Sequence, residues 1–399
     1  MDLISTQALL FVAAVIVVLA LPQPAVSRRA LLLLANAAFL YLFDPAAPLL
    51  FLGVSLVAFF VARLAARGVK GVTLFFLCVP LLVPLFLPKL PMFTGGGEST
   101  AVGNVVGVRL AFFIGASYFT LRALHCVLDA RRNGELHLGL FDFLVYNSFF
   151  PTMVAGPIER ADHFKKTYDK LGRPDAEDIR IGFTRLFIGL LKKVVLGGIA
   201  LQWAEPITSF VATGTGLSAG AAWVALYAIA FYAWFDFAGY SDMAIGVGRL
   251  MGIKLAENFD NPYMRTSIAE FWRGWHLSLS FWIRDYLFVP MSGRSKSVLR
   301  PHLAALGSMT LCGLWHAPNL GWGLWGLAHG LGLSVHQAWT TKLRKNFKLK
   351  KRLAGSRVVR VVSILLTFHF VALTWTLVSI DATRIGPTLD YLAVLFGLA

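Results

Sequence analysis

Residues 219–237 read AGAAWVALYAIAFYAWFDF, a run of nineteen residues in which Asp236 carries the only charge. A hydrocarbon core about 30 Å thick needs roughly 20 helical residues for one crossing, so this run is long enough to span a membrane. Hydrophobic residues make up 57% of the 399-residue chain, whereas soluble domains contain about 45–50%. The composition therefore predicts an all-α polytopic membrane protein rather than a soluble domain.

Further apolar runs are spread along the whole chain. They are Ala8–Leu21, Ala30–Phe43, Leu49–Ala66, Val72–Leu87, Val105–Leu124, Leu186–Trp203, Leu303–Trp315, Gly321–Ala338 and Val358–Leu377. We expect roughly nine to eleven spanning helices, with shorter interfacial or re-entrant helices between them. The first run is expected to be an uncleaved helix, because Met1-Asp2-Leu3 lacks a positive n-region. Since no long linker interrupts the chain, residues 1–399 are predicted to form one integral domain.

The basic residues lie mostly in predicted loops. Lys and Arg number 37 against 21 Asp and Glu, which gives a net charge of +16. One connection is especially basic and contains Lys342, Arg344, Lys345, Lys348, Lys350, Lys351, Arg352, Arg357 and Arg360. The positive-inside rule places such a loop in the cytoplasm, where it contacts anionic lipid. Loop charge of this kind indicates no nucleic-acid partner, and docking of an acidic carrier protein is a second interpretation.

Residues 266–289 are too polar to face lipid throughout. At helical spacing, one side of this segment is apolar and consists of Phe271, Trp272, Trp275, Leu279, Trp282, Tyr286 and Val289. Arg273, Arg284 and Asp285 lie elsewhere on the same helix. This amphipathic pattern predicts an interfacial or partly inserted helix that lines a cavity.

His276 and His316 are the residues best suited to chemistry. Each follows a tryptophan and lies among apolar or aromatic residues. A buried neutral imidazole is the ordinary group for moving a proton near neutral pH. A core histidine bonded to a backbone carbonyl would show the same pattern, so the residues alone leave both interpretations open, as they do for His329.

Other chemistries have weaker support in the sequence. Cys312 precedes His316 by one helical turn, which permits a Cys–His dyad, although a small packing residue would fit equally well. His316, His329 and His336 lack metal-ligand spacing, so we expect no metal site. The costly carboxylates of the apolar region are expected to pair with basic side chains. They are Asp236, Asp242, Glu257, Asp260 and Asp285.

A series of motifs follows in order along the chain. FPTMVAGPI stands at 150–158, FDFAGYSDMAIG at 235–246, ENF at 257–259, PY at 262–263, FWRGWHLSLS at 271–280, RDYL at 284–287, GLWH at 313–316 and GLAHG at 326–330. Together these motifs resemble the signature of bacterial membrane-bound O-acyltransferases, and the resemblance covers a signature core of roughly residues 115–335.

The resemblance implies a ring of helices around a thin central wall. A tunnel through that wall would bring a cytoplasmic acyl thioester to an acceptor hydroxyl from the outer side. His316 matches the catalytic histidine of the family, and His276 matches its second, supporting histidine. Trp275 and Ser278 would donate hydrogen bonds to the acceptor or the thioester carbonyl. The remaining residues expected along the tunnel are Trp315, Asn258, Tyr240, Asp285 and His329.

Two departures from the family pattern concern the same region. Ala317-Pro318 follows the Trp-His pair where the family usually has Gly, and Gly274 stands where it often has Arg. A methyl group and a proline beside the base are expected to narrow the acceptor side, so the identity of the acceptor is the property most affected.

By resemblance the chain is an O-acyltransferase with no permanently bound cofactor. Its acyl thioester would be acetyl-CoA or a loaded acyl carrier protein. The first expectation is acetylation of an exported polysaccharide from the bacterial inner membrane, directly or through an intermediary periplasmic or extracellular acyltransferase. D-alanyl transfer from a carrier protein to a teichoic-acid-like polymer is the alternative. A proton-coupled lipid or polysaccharide transporter and a catalytically silent partner of a surface-polymer assembly are further hypotheses.

Overall fold

A computed structural model describes residues 6–43, 45–86, 115–214, 216–293 and 297–398. Within these residues every regular element is a helix. The prediction of an all-α protein is therefore confirmed for the described chain. The first half of the predicted segment Val105–Leu124 lies outside the described residues, as does Leu87.

The chain divides into two compact units, the first formed by Met1–Leu190 and Tyr240–Glu257. The predicted single domain thus consists of two structural units. The helices of the first unit are α1 Thr6–Ala20, α2 Ala25–Phe43, α3 Ala47–Ala66, α4 Gly71–Phe86, α5 Ala116–Asn133, α6 Leu140–Asn147, α7 Ala161–Tyr168 and α8 Ala176–Leu190. The unit also includes residues 240–250, the end of the long helix Ala219–Leu250. A 3₁₀ turn, Phe150–Thr152, follows α6.

The second unit is formed by Leu191–Gly239 and Asn258–Ala399. Its helices are α9 Gly197–Thr213, most of α10 Ala219–Leu250, α11 Ile268–Phe271, α12 Leu277–Ile283, α13 Val289–Ser292, α14 Leu299–His316, α15 Leu320–Lys345, α16 Phe347–Ala354, α17 Arg357–Ser379 and α18 Gly386–Leu395. It also contains two π-helical turns, Leu191–Leu196 and Arg284–Phe288, and the 3₁₀ turn Pro262–Met264.

Helices that could cross a membrane account for much of the described chain. Five are long and apolar enough, and they cover Ala25–Leu42, Ala47–Ala66, Ala176–Ile207, Ala219–Leu250 and Arg357–Ser379. Thr6–Ala20 and Gly71–Leu82 are shorter apolar helices. The chain is a multi-pass integral membrane protein, with fewer clear spans among its described residues than the roughly nine to eleven expected from the runs.

A buried arginine organises part of the first unit. Arg122 of α5 is fully buried, and its guanidinium donates hydrogen bonds to the Thr152 hydroxyl at 2.5 Å and the Asn147 carbonyl at 2.8 Å. The backbone N–H of Phe150 donates to the side-chain oxygen of Asn36 at 3.1 Å. Because buried polar groups need partners, these bonds fix the start of the FPTMVAGPI segment against α2 and α5.

In the second unit, α14 and α15 touch at backbone distance. A Cβ atom on Gly313 would lie 2.0 Å from the Trp322 carbonyl oxygen, and one on Gly326 would lie 2.2 Å from the Met309 carbonyl oxygen. Only glycine fits at such crossings, which are typical of helix pairs in membranes. The glycine and histidine content of these helices also lowers their mean hydropathy, which explains why neither is among the five spans.

The crossing yields a first prediction. We expect Gly326→Ala to destabilise the protein by about 1–3 kcal/mol, because the added methyl group meets backbone atoms that cannot move away. Gly323→Ala is the matched control on the same helix, since its Cβ would lie 3.6 Å from the Leu314 side chain. The control should be neutral or gain up to about 1 kcal/mol from helix propensity. Thermal unfolding of the purified variants measures both, and equal melting temperatures would contradict the prediction.

Candidate active site

His316 is the last residue of α14, and the sequence after it explains why the helix ends there. Ala317 adopts an extended conformation, with φ −152° and ψ 137°. The residue before a proline is disfavoured in the helical region, so Pro318 ends α14. Asn319 then caps α15, because its side-chain oxygen accepts the Trp322 backbone N–H at 3.0 Å. The Ala317-Pro318 departure therefore creates a tight corner between α14 and α15, with His316 at its edge.

Aromatic rings surround the half-buried His316 imidazole. Trp322 stacks on it with ring centroids 4.6 Å apart and planes at 20°. Trp315 lies 4.7 Å away, and Trp325 meets it edge-on at 5.9 Å and 83°. These rings shield the imidazole from bulk solvent on several sides. The neutral form of an imidazole is the form able to accept a proton.

His276 occupies an unusual backbone position in the same unit. It precedes α12 with φ 43° and ψ 56°, in the left-handed region that L-residues rarely adopt. Its side chain is buried, and Phe237 contacts the ring edge-on at 4.6 Å. Strained positions of this kind cluster at functional sites. The conformation turns His276 out of the line of α12.

Asn258 holds the turn that presents His276. Its backbone carbonyl accepts the Leu277 N–H at 2.9 Å, and its side-chain oxygen accepts the Ser278 N–H at 3.3 Å and the Ser278 hydroxyl at 2.9 Å. Asn258 is fully buried. The sequence predicted both Asn258 and Ser278 as substrate-binding residues, and the structure brings them together as an anchor for the first turn of α12.

Gly274 packs against backbone on the other side of His276. A Cβ atom there would lie 2.5 Å from the Asp260 carbonyl oxygen. The Asp260 N–H donates to the Gly274 carbonyl at 2.9 Å. A side chain at this position would push the Asp260 segment away, so the departure at Gly274 reflects a close backbone crossing.

The two histidines influence each other electrostatically. Burial, and secondarily a charge on His316, lower the pKa of His276 well below its ordinary value. His276 lies outside the five candidate spans. Burial therefore favours the neutral form of the His276 imidazole.

His329 is bonded at both ring nitrogens. Its Nδ1 accepts the Trp272 indole N–H at 3.2 Å, and its Nε2 lies 3.0 Å from the Thr374 hydroxyl, which itself donates to the Val371 carbonyl at 2.7 Å. This pattern assigns the proton to Nε2. The fully buried ring links α15 to α17. The expected tunnel residue His329 is therefore a cross-link that keeps its neighbours in place.

The other predicted residues have separate surroundings. Trp275 is buried and stacks on Phe271 at 5.6 Å. Asp285 accepts from Arg284 at 2.7 Å in the second π-helical turn. Tyr240 belongs to the first unit, where its hydroxyl donates to a backbone carbonyl at 3.4 Å.

All five predicted carboxylates have basic partners, as expected. The pairs are Lys193 with Asp236, Arg185 with both Asp242 and Glu257, Arg265 with Asp260, and Arg284 with Asp285. Among the described residues no three His, Cys, Asp or Glu side chains converge as a metal site would require.

A cavity of about 590 Å³ lies within the second unit. Its apolar floor includes Cys312, one helical turn before His316, together with Met309 and Trp272. Its polar lining consists of Arg273, Ser280, Arg284, Ser308, His336, Gln337, Thr340 and Arg344. Three arginines beside an apolar floor suit a ligand with an anionic end and a long, weakly polar body.

The sequence predicts that residues 266–289 line a cavity, and eight residues between Ala269 and Phe288 do line this one. It does not predict the contribution of α15, where His336, Thr340 and Arg344 follow at four-residue spacing and so share one helix face. The sequence interpretation assigns Arg344 to a basic loop, whereas Arg344 lies in α15 and lines the cavity.

Known proteins resemble the chain over most of its length. The model of MBOAT, the membrane-bound O-acyltransferase family, matches residues 113–379. A protein named probable alginate O-acetylase AlgI, from Pseudomonas aeruginosa, is 33% identical over 268 residues, which cover 66% of this chain and 48% of that protein. A peptidoglycan O-acetyltransferase from Helicobacter pylori is 34% identical over 260 residues, covering 64% and 47%.

A teichoic acid D-alanyltransferase from Streptococcus thermophilus is 31% identical over 309 residues, which cover 74% of both chains. The chain thus spans about half the length of the acetylating relatives and three quarters of the D-alanylating one.

The backbone at His276 yields a second prediction. Glycine adopts φ 43° without strain, so His276→Gly should be more stable than His276→Ala by about 1 kcal/mol. At Ser280, inside α12, the order should reverse, because glycine costs about 1 kcal/mol relative to alanine in a helix. Thermal unfolding of the four variants measures both differences. The same order at both positions would show that His276 does not adopt this conformation.

Proposed function

Because the chain belongs to the membrane-bound O-acyltransferase family, we propose that it transfers an acetyl group from a cytoplasmic thioester to a hydroxyl group of an exported polysaccharide. The observation that carries the proposal is the position of His316. It stands at the end of α14 among aromatic rings, one turn from the Cys312 floor of the arginine-lined cavity. A proton acceptor beside a pocket suited to a phosphate-bearing thioester is what this reaction requires.

The proposed reaction is a direct transfer. The acceptor hydroxyl gives its proton to neutral His316 as its oxygen attacks the thioester carbonyl carbon. The carbonyl π electrons move onto oxygen, and when they return the carbon–sulfur bond breaks. The leaving thiolate takes the proton from the His316 imidazolium. An ester and a free thiol result, and His316 is neutral again.

His276 has the supporting role in this scheme. Burial lowers the pKa of its ring, and the Asn258 anchor fixes its turn. A rigidly held imidazole can orient the acceptor hydroxyl or the thioester without competing for the proton.

The cavity is the proposed site for the acyl thioester. Acetyl-CoA and a loaded acyl carrier protein both present a phosphopantetheine arm, whose phosphate matches the arginines and whose body matches the apolar floor. Arg344 lines the cavity and also belongs to the basic connection, which the positive-inside rule assigns to the cytoplasm.

The acceptor side follows from the relatives. Alginate and peptidoglycan appear in the names of the acetylating proteins, and both are polymers outside the cytoplasm. We place this chain in the bacterial inner membrane, where it passes the acetyl group to such a polymer or to an intermediary acyltransferase outside the membrane.

D-alanyl transfer to a teichoic-acid-like polymer is the second candidate. The observation in its favour is coverage, because the match to the teichoic acid D-alanyltransferase extends over 74% of both proteins. The two candidates share the base, the cavity and the direction of transfer. They differ in the acyl group, so an assay with both thioesters separates them.

A third prediction tests the base. The purified protein is offered labelled acetyl and D-alanyl thioesters with candidate glycans, and ester formation is measured. His316→Ala should reduce turnover by about 10²–10⁴-fold, because the attacking hydroxyl loses its proton acceptor. Cys312→Ala should keep most of the activity, since direct transfer forms no acyl-enzyme. Full activity of His316→Ala would refute the base, and failure with every thioester would favour the transporter or the silent partner.

A fourth prediction tests the cavity. Arg344→Ala should raise the KM for the thioester about tenfold with little effect on kcat, as expected when one charge-assisted hydrogen bond to a phosphate is lost. Lys345→Ala is the matched control, since it removes the same charge from the adjacent residue, which does not line the cavity. Steady-state kinetics measure both. Equal effects of the two variants would instead indicate docking of an acidic carrier protein on the basic connection.

A further inference from the structure

Trp325 lies at the centre of the aromatic cluster around His316. It belongs to α15, and only 3% of its side chain is exposed. Its ring centroid lies 4.4 Å from His329, 5.4 Å from Trp322, 5.8 Å from Trp272 and 5.9 Å from His316. Trp325 is therefore a buried residue whose ring is a direct neighbour of the proposed base, His316.

The indole N–H of Trp325 has no hydrogen-bond partner among the residues that the structure describes. An indole nitrogen can only donate, so it needs an acceptor. A buried N–H without one costs stability, and each such group in a native structure requires an explanation.

Three of the neighbouring rings cannot supply the acceptor. Trp272 and Trp322 carry indoles, which are donors like Trp325 itself. His329 has one acceptor nitrogen, and the Trp272 N–H already occupies it at 3.2 Å. The other nitrogen of His329 faces the Thr374 hydroxyl at 3.0 Å. The fourth ring, His316, does not accept from it either, because the Trp325 N–H has no partner among the described residues. We therefore infer that its acceptor oxygen comes with a ligand.

We propose that Trp325 is a catalytic residue whose indole N–H donates a hydrogen bond to the carbonyl oxygen of the acyl thioester. This inference rests on the proposed function. The carbonyl oxygen gains a full negative charge when the acceptor oxygen adds to the carbon. A preorganised N–H in a dry aromatic cluster stabilises that charge more than it stabilises the neutral carbonyl.

The Trp325 and His316 rings are arranged in a way that suits these two roles. A reacting carbon must lie about 3 Å from groups that serve its attacking and charged oxygens. The Trp325 and His316 rings meet edge-on, with centroids 5.9 Å apart and planes at 83°, so a hydrogen-bond donor and the proposed proton acceptor are direct neighbours. His316 then handles the proton of the attacking oxygen, while Trp325 handles the charge on the carbonyl oxygen until the carbon–sulfur bond breaks.

Trp234 provides a matched control. Its indole N–H is also buried without a partner among the described residues. Its ring neighbours are Phe231, Phe235 and Tyr263. Removing this N–H therefore repeats the chemical change at a position whose recorded ring contacts do not include His316.

The test replaces the N–H without changing the shape of the ring. Trp325 is substituted by 3-benzothienylalanine, in which sulfur takes the place of the indole nitrogen, and in parallel by Trp325→Phe. We expect kcat to fall by about 10²–10³-fold with little change in KM, the usual effect of losing one oxyanion donor. The same substitutions at Trp234 should leave kcat unchanged. Retained kcat in the sulfur isostere at position 325 would overturn the inference.

A spectroscopic measurement separates hydrogen bonding from packing. The His316→Ala variant is loaded with acetyl-CoA labelled with ¹³C at the carbonyl, and infrared difference spectra record the carbonyl stretch. A bond from Trp325 lowers the wavenumber, and the shift should disappear in the benzothienyl protein. An identical spectrum in both proteins would overturn the inference alone. Absence of acyl transfer by the wild-type protein with every thioester would overturn it together with the proposed function.

Discussion

The backbone contact between α14 and α15 determines where every other part of the candidate site can lie. At Gly313 and Gly326 the two helices approach so closely that no Cβ atom fits between them. This proximity packs His316 of one helix against Trp322 and Trp325 of the other. Lipid provides little hydrophobic drive for helix association, so small residues that allow dense packing supply the attraction instead. Gly313 and Gly326 are therefore required for the packing of aromatic rings around His316.

Three histidines of the second unit have different surroundings. The residues alone did not distinguish them, since all three lie in apolar surroundings. His329 is bonded at both nitrogens and links two helices. His276 is set by a strained turn that Asn258 anchors. His316 stands half-buried at a helix end among aromatic rings. The contacts of each ring and the backbone that carries it, rather than burial alone, distinguish the three positions.

The sequence predicted the helical class, the apolar segments and the pairing of the carboxylates, because these follow from composition and local spacing. It could not predict the left-handed backbone of His276, since that conformation depends on Asn258, eighteen residues earlier in the chain. It also gave no account of Gly274, whose small size matters only because the Asp260 backbone crosses it. The arginine-lined cavity depends on side chains from several helices. The sequence interpretation assigned one of them, Arg344, to a basic loop whose charge the positive-inside rule explained.

The turn after His316 connects the Ala317-Pro318 sequence to the proposed role of His316 as a base. Pro318 forces Ala317 out of the helix, so α14 ends at His316. The C-terminus of a helix carries partial negative charge, which stabilises a nearby cation by about 0.3–2 kcal/mol. In the proposed reaction His316 starts neutral and becomes cationic once it has accepted the hydroxyl proton. The helix end therefore favours the state formed during transfer over the resting state, as transition-state stabilisation demands. A chain that continued α14 past this point would lose that preference, even with every side chain of the site in place.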